Sequence, residues 1–169
     1  MSNPTSLVDI AEYHTDVETS LRLYFSTKNP NYLTRFTAYL PSELVAELTE
    51  RVSETDMRSA LVVLARIEAA FRKDYIGRCN LKLSDDVSIS FRKIHKKRGI
   101  KARLDEDILE TWRQNINKYD GKIISNLRGM LKFRHWLAHG RYWNFGTKYS
   151  FQDVYSLGHV VLTNFPLLD

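Results

Sequence analysis

From Ser42 to Phe165 the chain contains no proline. A proline ring removes a backbone donor and clashes with the preceding helical turn, so most of this 169-residue chain is free to run in helix. The four prolines, Pro4, Pro30, Pro41 and Pro166, fall only towards the ends. Within the proline-free stretch apolar residues recur at helical spacing, interrupted by turn residues. Leu7, Ile10, Ala11, His14, Val17, Leu21 and Tyr24 predict a first helix from about Ser6 to Ser26, and Asn29-Pro30-Asn31 a turn. A short helix is expected from near Ser42 through Leu48, then a long one with Thr55 or Asp56 as its N-cap. Asp85 or Asp86 heads a helix that stops at Gly99, and Asp105 heads another through Trp112. Asp120-Gly121 reads as a turn before a helix that runs to His139 and is halted by Gly140. Ser150 caps a last helix, to about Phe165, and the aromatic, glycine-containing gap before it reads as an ordered loop. No repeat or linker divides the chain. The expectation is an all-α, single-domain bundle of about six to seven helices over residues 1–169.

Hydrophobic residues at 43% and charged residues at 27% exclude a disordered or collagen-like chain. The single cysteine, Cys79, excludes an intrachain disulfide framework and a cysteine-based zinc site, and suits a reducing, cytoplasmic compartment. The first twenty residues carry Asp9, Glu12, Asp16 and Glu18 and no Lys or Arg, unlike a secretory signal. The longest apolar run, around Leu61–Ala65, is far too short to span a membrane.

The net charge of +5 conceals an asymmetry. Residues 87–104 hold seven basic residues (Arg92, Lys93, Lys96, Lys97, Arg98, Lys101, Arg103) and no acidic one. Residues 121–152 hold six more (Lys122, Arg128, Lys132, Arg134, Arg141, Lys148), again without an acid. The remainder carries 12 basic against 20 acidic residues. Such segments suit a polyanion such as RNA or DNA, although the first on its own reads rather as a solvated face or as a contact for the acidic surface of a second copy.

Two charges fall where apolar residues belong. The stripe Leu61, Leu64, Glu68, Phe71, Tyr75 puts Glu68 on a buried face, and Ile124, Leu127, Leu131, Arg134, Ala138 does the same for Arg134. A buried charge is costly unless paired. Facing helices with Arg134 against Glu68 or Asp74 would resolve both; the plainer alternative pairs Glu68 with Arg72 at i,i+4 and lets Arg134 reach solvent along its apolar stem.

Arg134 opens the string Arg134-His135-Trp136-Leu137-Ala138-His139-Gly140. An arginine, four residues and a histidine at a helix end resembles the signature of the HEPN superfamily, small all-α domains that include metal-independent ribonucleases. The polar residue that follows the arginine in that pattern is matched by His135. The wider string FRHWLAHGRYW, Phe133 to Trp143, resembles a group of bacterial HEPN-like proteins, in which a segment similar to Glu68–Tyr75 occurs upstream. The specific resemblance covers about these eleven residues. It implies an RNA endonuclease in a toxin, phage-defence or stress setting, with Arg134 and His139 catalytic and Glu68, Arg72, Asp74 and His135 supporting. It also implies an antitoxin or nucleotidyltransferase as a partner. In some HEPN toxins a tyrosine two residues after the histidine is modified by such an enzyme; here Tyr142 lies three residues after His139.

The residue types fit that chemistry independently. RNA carries its own nucleophile, the 2′-OH, so cleavage needs only a base for its proton, an acid for the leaving 5′ oxygen, and positive charge on the phosphorus centre. Histidine titrates near 6.5 and serves the proton transfers, while arginine grips phosphate bidentately. No metal or other cofactor is needed, and His14, His95, His135, His139 and His159 show no metal-ligand spacing. Arg141, Lys132, Lys96, Lys97 and Arg98 are the expected nucleic-acid contacts, whereas Trp136 and Trp143 read as core or interface aromatics.

Residues five apart on an ideal helix point about 140° apart, so Arg134 and His139 meet within one chain only if the helix ends at Ala138 and His139 swings on the turn. The HEPN resemblance implies another solution, a symmetric homodimer in which two such motifs share one cleft. The rival reading is a non-catalytic module that binds nucleotide, RNA or a protein, with Arg134 structural. A DNA-binding role for residues 87–104 ranks last, for want of a helix-turn-helix pattern.

Overall fold

A computed structural model describes residues 6–116, 118–147 and 149–168, without the side chains of residues 118–120. The expectations that touch Pro4, Lys148 and the side chain of Asp120 lie outside these. Seven α-helices and no strand are found among the described residues: α1 Leu7–Tyr24, α2 Tyr32–Phe36, α3 Pro41–Leu81, α4 Asp86–Arg98, α5 Glu110–Asn115, α6 Lys118–Ala138 and α7 Phe151–Asn164. The all-α bundle read from the sequence is therefore the observed fold.

Local side-chain chemistry sets many of the boundaries. Ser6, Asp85 and Ser150 each accept a hydrogen bond from a first-turn backbone N–H of α1, α4 and α7. Gly99, at φ +55°, closes α4, and Gly140, at φ +77°, follows the end of α6. Pro41 begins α3 at the position where a missing N–H costs nothing, and Glu43 accepts from the Leu40 N–H at 2.8 Å.

Three expected boundaries are corrected. The break before Thr55 does not exist: α3 is one helix of 41 residues, about 60 Å long. The Thr55 hydroxyl donates to the Arg51 carbonyl one turn back (3.0 Å) rather than capping, and Asp56 turns to His14 at 3.4 Å. Asp105 is not a cap either. A wide, π-helical turn over Leu104–Leu109 leads into α5, and its first residues are tied by Asp107, which accepts from the Arg103 N–H at 2.7 Å. Finally, α6 begins at Lys118 and runs through Gly121, which has open space around it, so residues 120–121 are helix and not a turn.

Helix α3 is the axis of the bundle. Its buried residues begin only at Ser59; from there Val63, Leu64, Ile67, Phe71 and Tyr75 meet Phe91 of α4, Ile108 and Leu109 of the wide turn, Ile124 and Leu127 of α6, and Val154 and Val161 of α7. Close approach of α7 to α3 depends on Gly158, where a Cβ would stand 3.1 Å from Val63 and 3.2 Å from Ile67. The first half of α3 packs with α1 and α2 as an arm with its own small aromatic cluster, Phe25 stacked on Phe36 at 5.1 Å. This packing holds α6 against the lower half of α3 and leaves its C-terminal end at the surface.

Candidate active site

Arg134 sits on the side of α6 that meets α3. Its guanidinium lies 3.4 Å from Glu68, and Glu68 also accepts from Arg72 at 2.8 Å. Arg72 donates further to the Ala102 carbonyl (3.3 Å). The two alternatives for Glu68 are thus both realised, in one three-membered cluster. Arg134 keeps 36% of its side chain exposed, while its Nε–H is buried and has no acceptor among the described residues. Asp74, the other proposed partner, belongs elsewhere. It is fully buried and accepts from Arg78 (2.7 Å), the Trp112 indole (3.1 Å) and the Leu168 N–H (3.0 Å). Burial pushes its carboxyl above the ordinary range against the downward pull of these donors.

Helix α6 ends at Ala138, as the convergence argument required, but His139 does not join Arg134. Its N–H donates to the His135 carbonyl (3.1 Å), and the two imidazole rings stand 4.1 Å apart, tilted by 53°. Both histidines are exposed. Among the described residues no hydrogen bond joins either to Arg134. The motif therefore divides into an arginine cluster facing α3 and a histidine pair at the helix end.

The loop after α6 is fixed rather than slack. Gly140 and Arg141 both take positive φ, +77° and +58°, and the second is strained for a residue with a side chain. Holding it are the Arg141 N–H to the Trp136 carbonyl (3.1 Å) and the Arg141 guanidinium on Glu54. The Arg141 guanidinium is thus engaged by a carboxylate of the same chain, while more than a third of its side chain stays open to solvent. Trp136 is buried, as expected, and its indole donates to the Trp143 carbonyl at 2.7 Å. Trp143 is half-buried and packs 5.8 Å from His135.

Beside the histidine pair lies a groove of about 430 Å³ between α6 and the wide turn, its walls including Leu104, Leu131, Lys132, His135, Trp143 and Phe145. Arg128 and Asp105 also reach it, but as a closed ion pair that Glu110 extends (2.8 Å to Arg128). Sequence reasoning missed the groove. Its one advance signal was the aromatic loop, and the wide turn that forms the other wall has no local signature. A larger groove of about 660 Å³ lies along the arm, lined by Glu47, Glu50 and Glu54 together with Arg51 and Arg58, so its charges are of mixed sign.

The first basic segment is less free than its composition suggested. Arg98 pairs with Asp107 (3.4 Å) and Arg103 with Glu106, while Lys96 and Lys97 are exposed and make no ion pair among the described residues. His95 is engaged by the Tyr75 hydroxyl (3.2 Å), whose pKa burial pushes up to about 12. Among the described residues no group of three or more His, Cys, Asp or Glu side chains is placed to hold a metal ion, and no helix is long and apolar enough to cross a membrane. No family model, no curated protein and no solved structure matches the chain.

Proposed function

We propose that the chain is a metal-independent endoribonuclease whose proton-transfer groups are His139 and His135. The observation that carries this reading is the pair of exposed imidazoles in ring contact at the end of α6, beside a groove with a cationic rim. One neutral imidazole takes the 2′-OH proton as the 2′ oxygen attacks phosphorus. The other, as imidazolium, protonates the departing 5′ oxygen. The products are a 2′,3′-cyclic phosphate and a 5′-OH. An i,i+4 pair supplies acid and base from one chain, so the second histidine no longer has to come from a second copy. What a homodimer adds in this reading is Arg134 charge near the phosphate from across a two-fold cleft. By the HEPN resemblance the setting is toxin, phage-defence or stress response, in the cytoplasm, with an antitoxin or nucleotidyltransferase as partner.

The second reading, a non-catalytic binding module, is favoured by the internal commitment of both motif arginines, Arg134 to Glu68 and Arg141 to Glu54. That commitment explains the arginines but gives no reason for two exposed histidines in contact, so the ribonuclease reading stands first. Digestion of RNA in EDTA with analysis of the product ends separates them. Cyclic-phosphate ends, lost in His139→Ala, are expected; intact RNA with wild-type protein at all RNA lengths tested would sink the catalytic reading.

A further inference from the structure

The groove beside the histidine pair has a composition that proton transfer alone does not require. Leu104, Leu131, Trp143 and Phe145 give it apolar walls, and Lys132 makes its α6 edge cationic beside the His135 imidazole. Asp105, the carboxylate that reaches it, is neutralised by Arg128. An aromatic wall with a cationic edge is the combination that single-stranded nucleic acid needs, since every base offers a π face and every nucleotide a phosphate. At about 430 Å³ the groove lies in the range of small-ligand sites and has room for a flat heteroaromatic ring.

Trp143 is the residue suited to the stacking. Trp112 and Trp136 are buried, at 2% and 9% exposure, whereas Trp143 is half-open and lines the groove. Its backbone is held by the Trp136 indole and by the anchored Arg141, so the ring is presented on a prepared loop. Tyr142 packs edge-on against it at 4.6 Å and is itself 82% exposed, which widens the aromatic surface.

We infer that this groove is a nucleobase subsite: an unpaired base of single-stranded RNA stacks on Trp143, and Lys132 with the histidine pair receives the adjoining phosphate. The fate of that phosphate rests on the ribonuclease reading; the base contact rests on the groove alone. Trp143 is here a binding residue and takes no part in proton transfer.

The test uses the full chain and a short 2′-O-methyl RNA, which lacks a free 2′-OH and so binds without being cleaved. Tryptophan fluorescence reports stacking directly, because the other two indoles are buried. Wild-type protein should show quenching on titration. Trp143→Ala should lose the quench and bind about tenfold more weakly, the usual scale for one stacked base. Trp143→Phe should retain most of the affinity, and Lys132→Ala should weaken binding while keeping the quench at saturation. Absence of quenching in the wild type, or unchanged affinity in a folded Trp143→Ala, would overturn the subsite. Unmodified RNA in EDTA, run in parallel, keeps the two readings apart: quenching without cleavage leaves the subsite standing and removes the ribonuclease, while cleavage with an unchanged KM in Trp143→Ala does the reverse.

Discussion

The C-terminal half of helix α3 carries two arginine–carboxylate pairs at i,i+4 spacing, Glu68 with Arg72 and Asp74 with Arg78, and they differ in how completely they are satisfied. The Asp74 pair is buried and closed. Arg78 bonds in addition to Asp85 (3.1 Å) and the Pro166 carbonyl (2.6 Å), and lies 5.0 Å over the Trp112 ring, so together the two residues clamp the segment after α7 onto α3. The Glu68 cluster is partly open. It recruits Arg134 from another helix and leaves one of its buried N–H groups without an acceptor among the described residues. The same pairing of arginine with a carboxylate thus reaches two degrees of completion. A saturated, buried pair is architecture; the Glu68 cluster is incomplete and partly exposed, and keeps a donor N–H without an acceptor among the described residues.

The sharpest way to break this contrast is Asp74→Ala. It removes the fully buried carboxylate of the pair and leaves Arg78 only Asp85 and the Pro166 carbonyl, and removing one partner of a buried pair costs about 3–5 kcal/mol, of which these remaining contacts offset a part. A denaturant melt should show that loss, with the segment after α7 released. Replacing both partners by apolar residues of similar volume should recover much of it. A melt unchanged in Asp74→Ala would mean that the clamp is not structural.

The histidine pair should behave oppositely. His139→Ala should reduce RNA cleavage by roughly 10²–10⁴-fold and leave the melting temperature near wild type, since the side chain is exposed and only its backbone N–H supports the helix end. Cleavage at the wild-type rate would remove this histidine from the mechanism. Arg134→Ala lies between the two. The Arg134 side chain is 36% exposed, so solvent screening limits its contribution to about 1 kcal/mol or less, yet cleavage should fall steeply. A variant that melts early and still cleaves would assign Arg134 to architecture.

Much of this contrast was legible in the sequence, and the remainder was not for identifiable reasons. Ser6, Asp85, Ser150, Gly99 and Gly140 declared their boundaries because each acts on backbone within a few residues. The Arg134–Glu68 contact was legible because two apolar stripes each carried one misplaced charge of opposite sign. Thr55 and Asp56 misled because cap-type side chains have other uses: one bonds back along its own helix, and the other supports His14, which sits buried between Ser59 (3.1 Å) and the face of Phe151 (4.0 Å). The groove escaped because it is created by the wide turn packing across α6, where residues distant in sequence meet without any local pattern.

The smallest expected effect comes from a third cluster, which carries the comparison towards the exposed limit. Glu110 accepts from Arg113 at 2.6 and 3.0 Å and from Arg128 at 2.8 Å, and these arginines hold its carboxyl down at about 2. A carboxylate whose folded pKa lies below its unfolded value near 4.5 adds stability that is fully present above that value and is lost as pH falls towards 2. Glu110→Gln should therefore lower stability slightly at neutral pH and flatten the acid limb of the stability profile between about 4.5 and 2. The loss stays small because all three side chains are partly open to water and screening weakens each pair. The check is a series of thermal melts across that range, wild type beside variant. Curves that run parallel down to pH 2 would show that Glu110 does not titrate with folding, and would leave the Arg128 contact as packing alone.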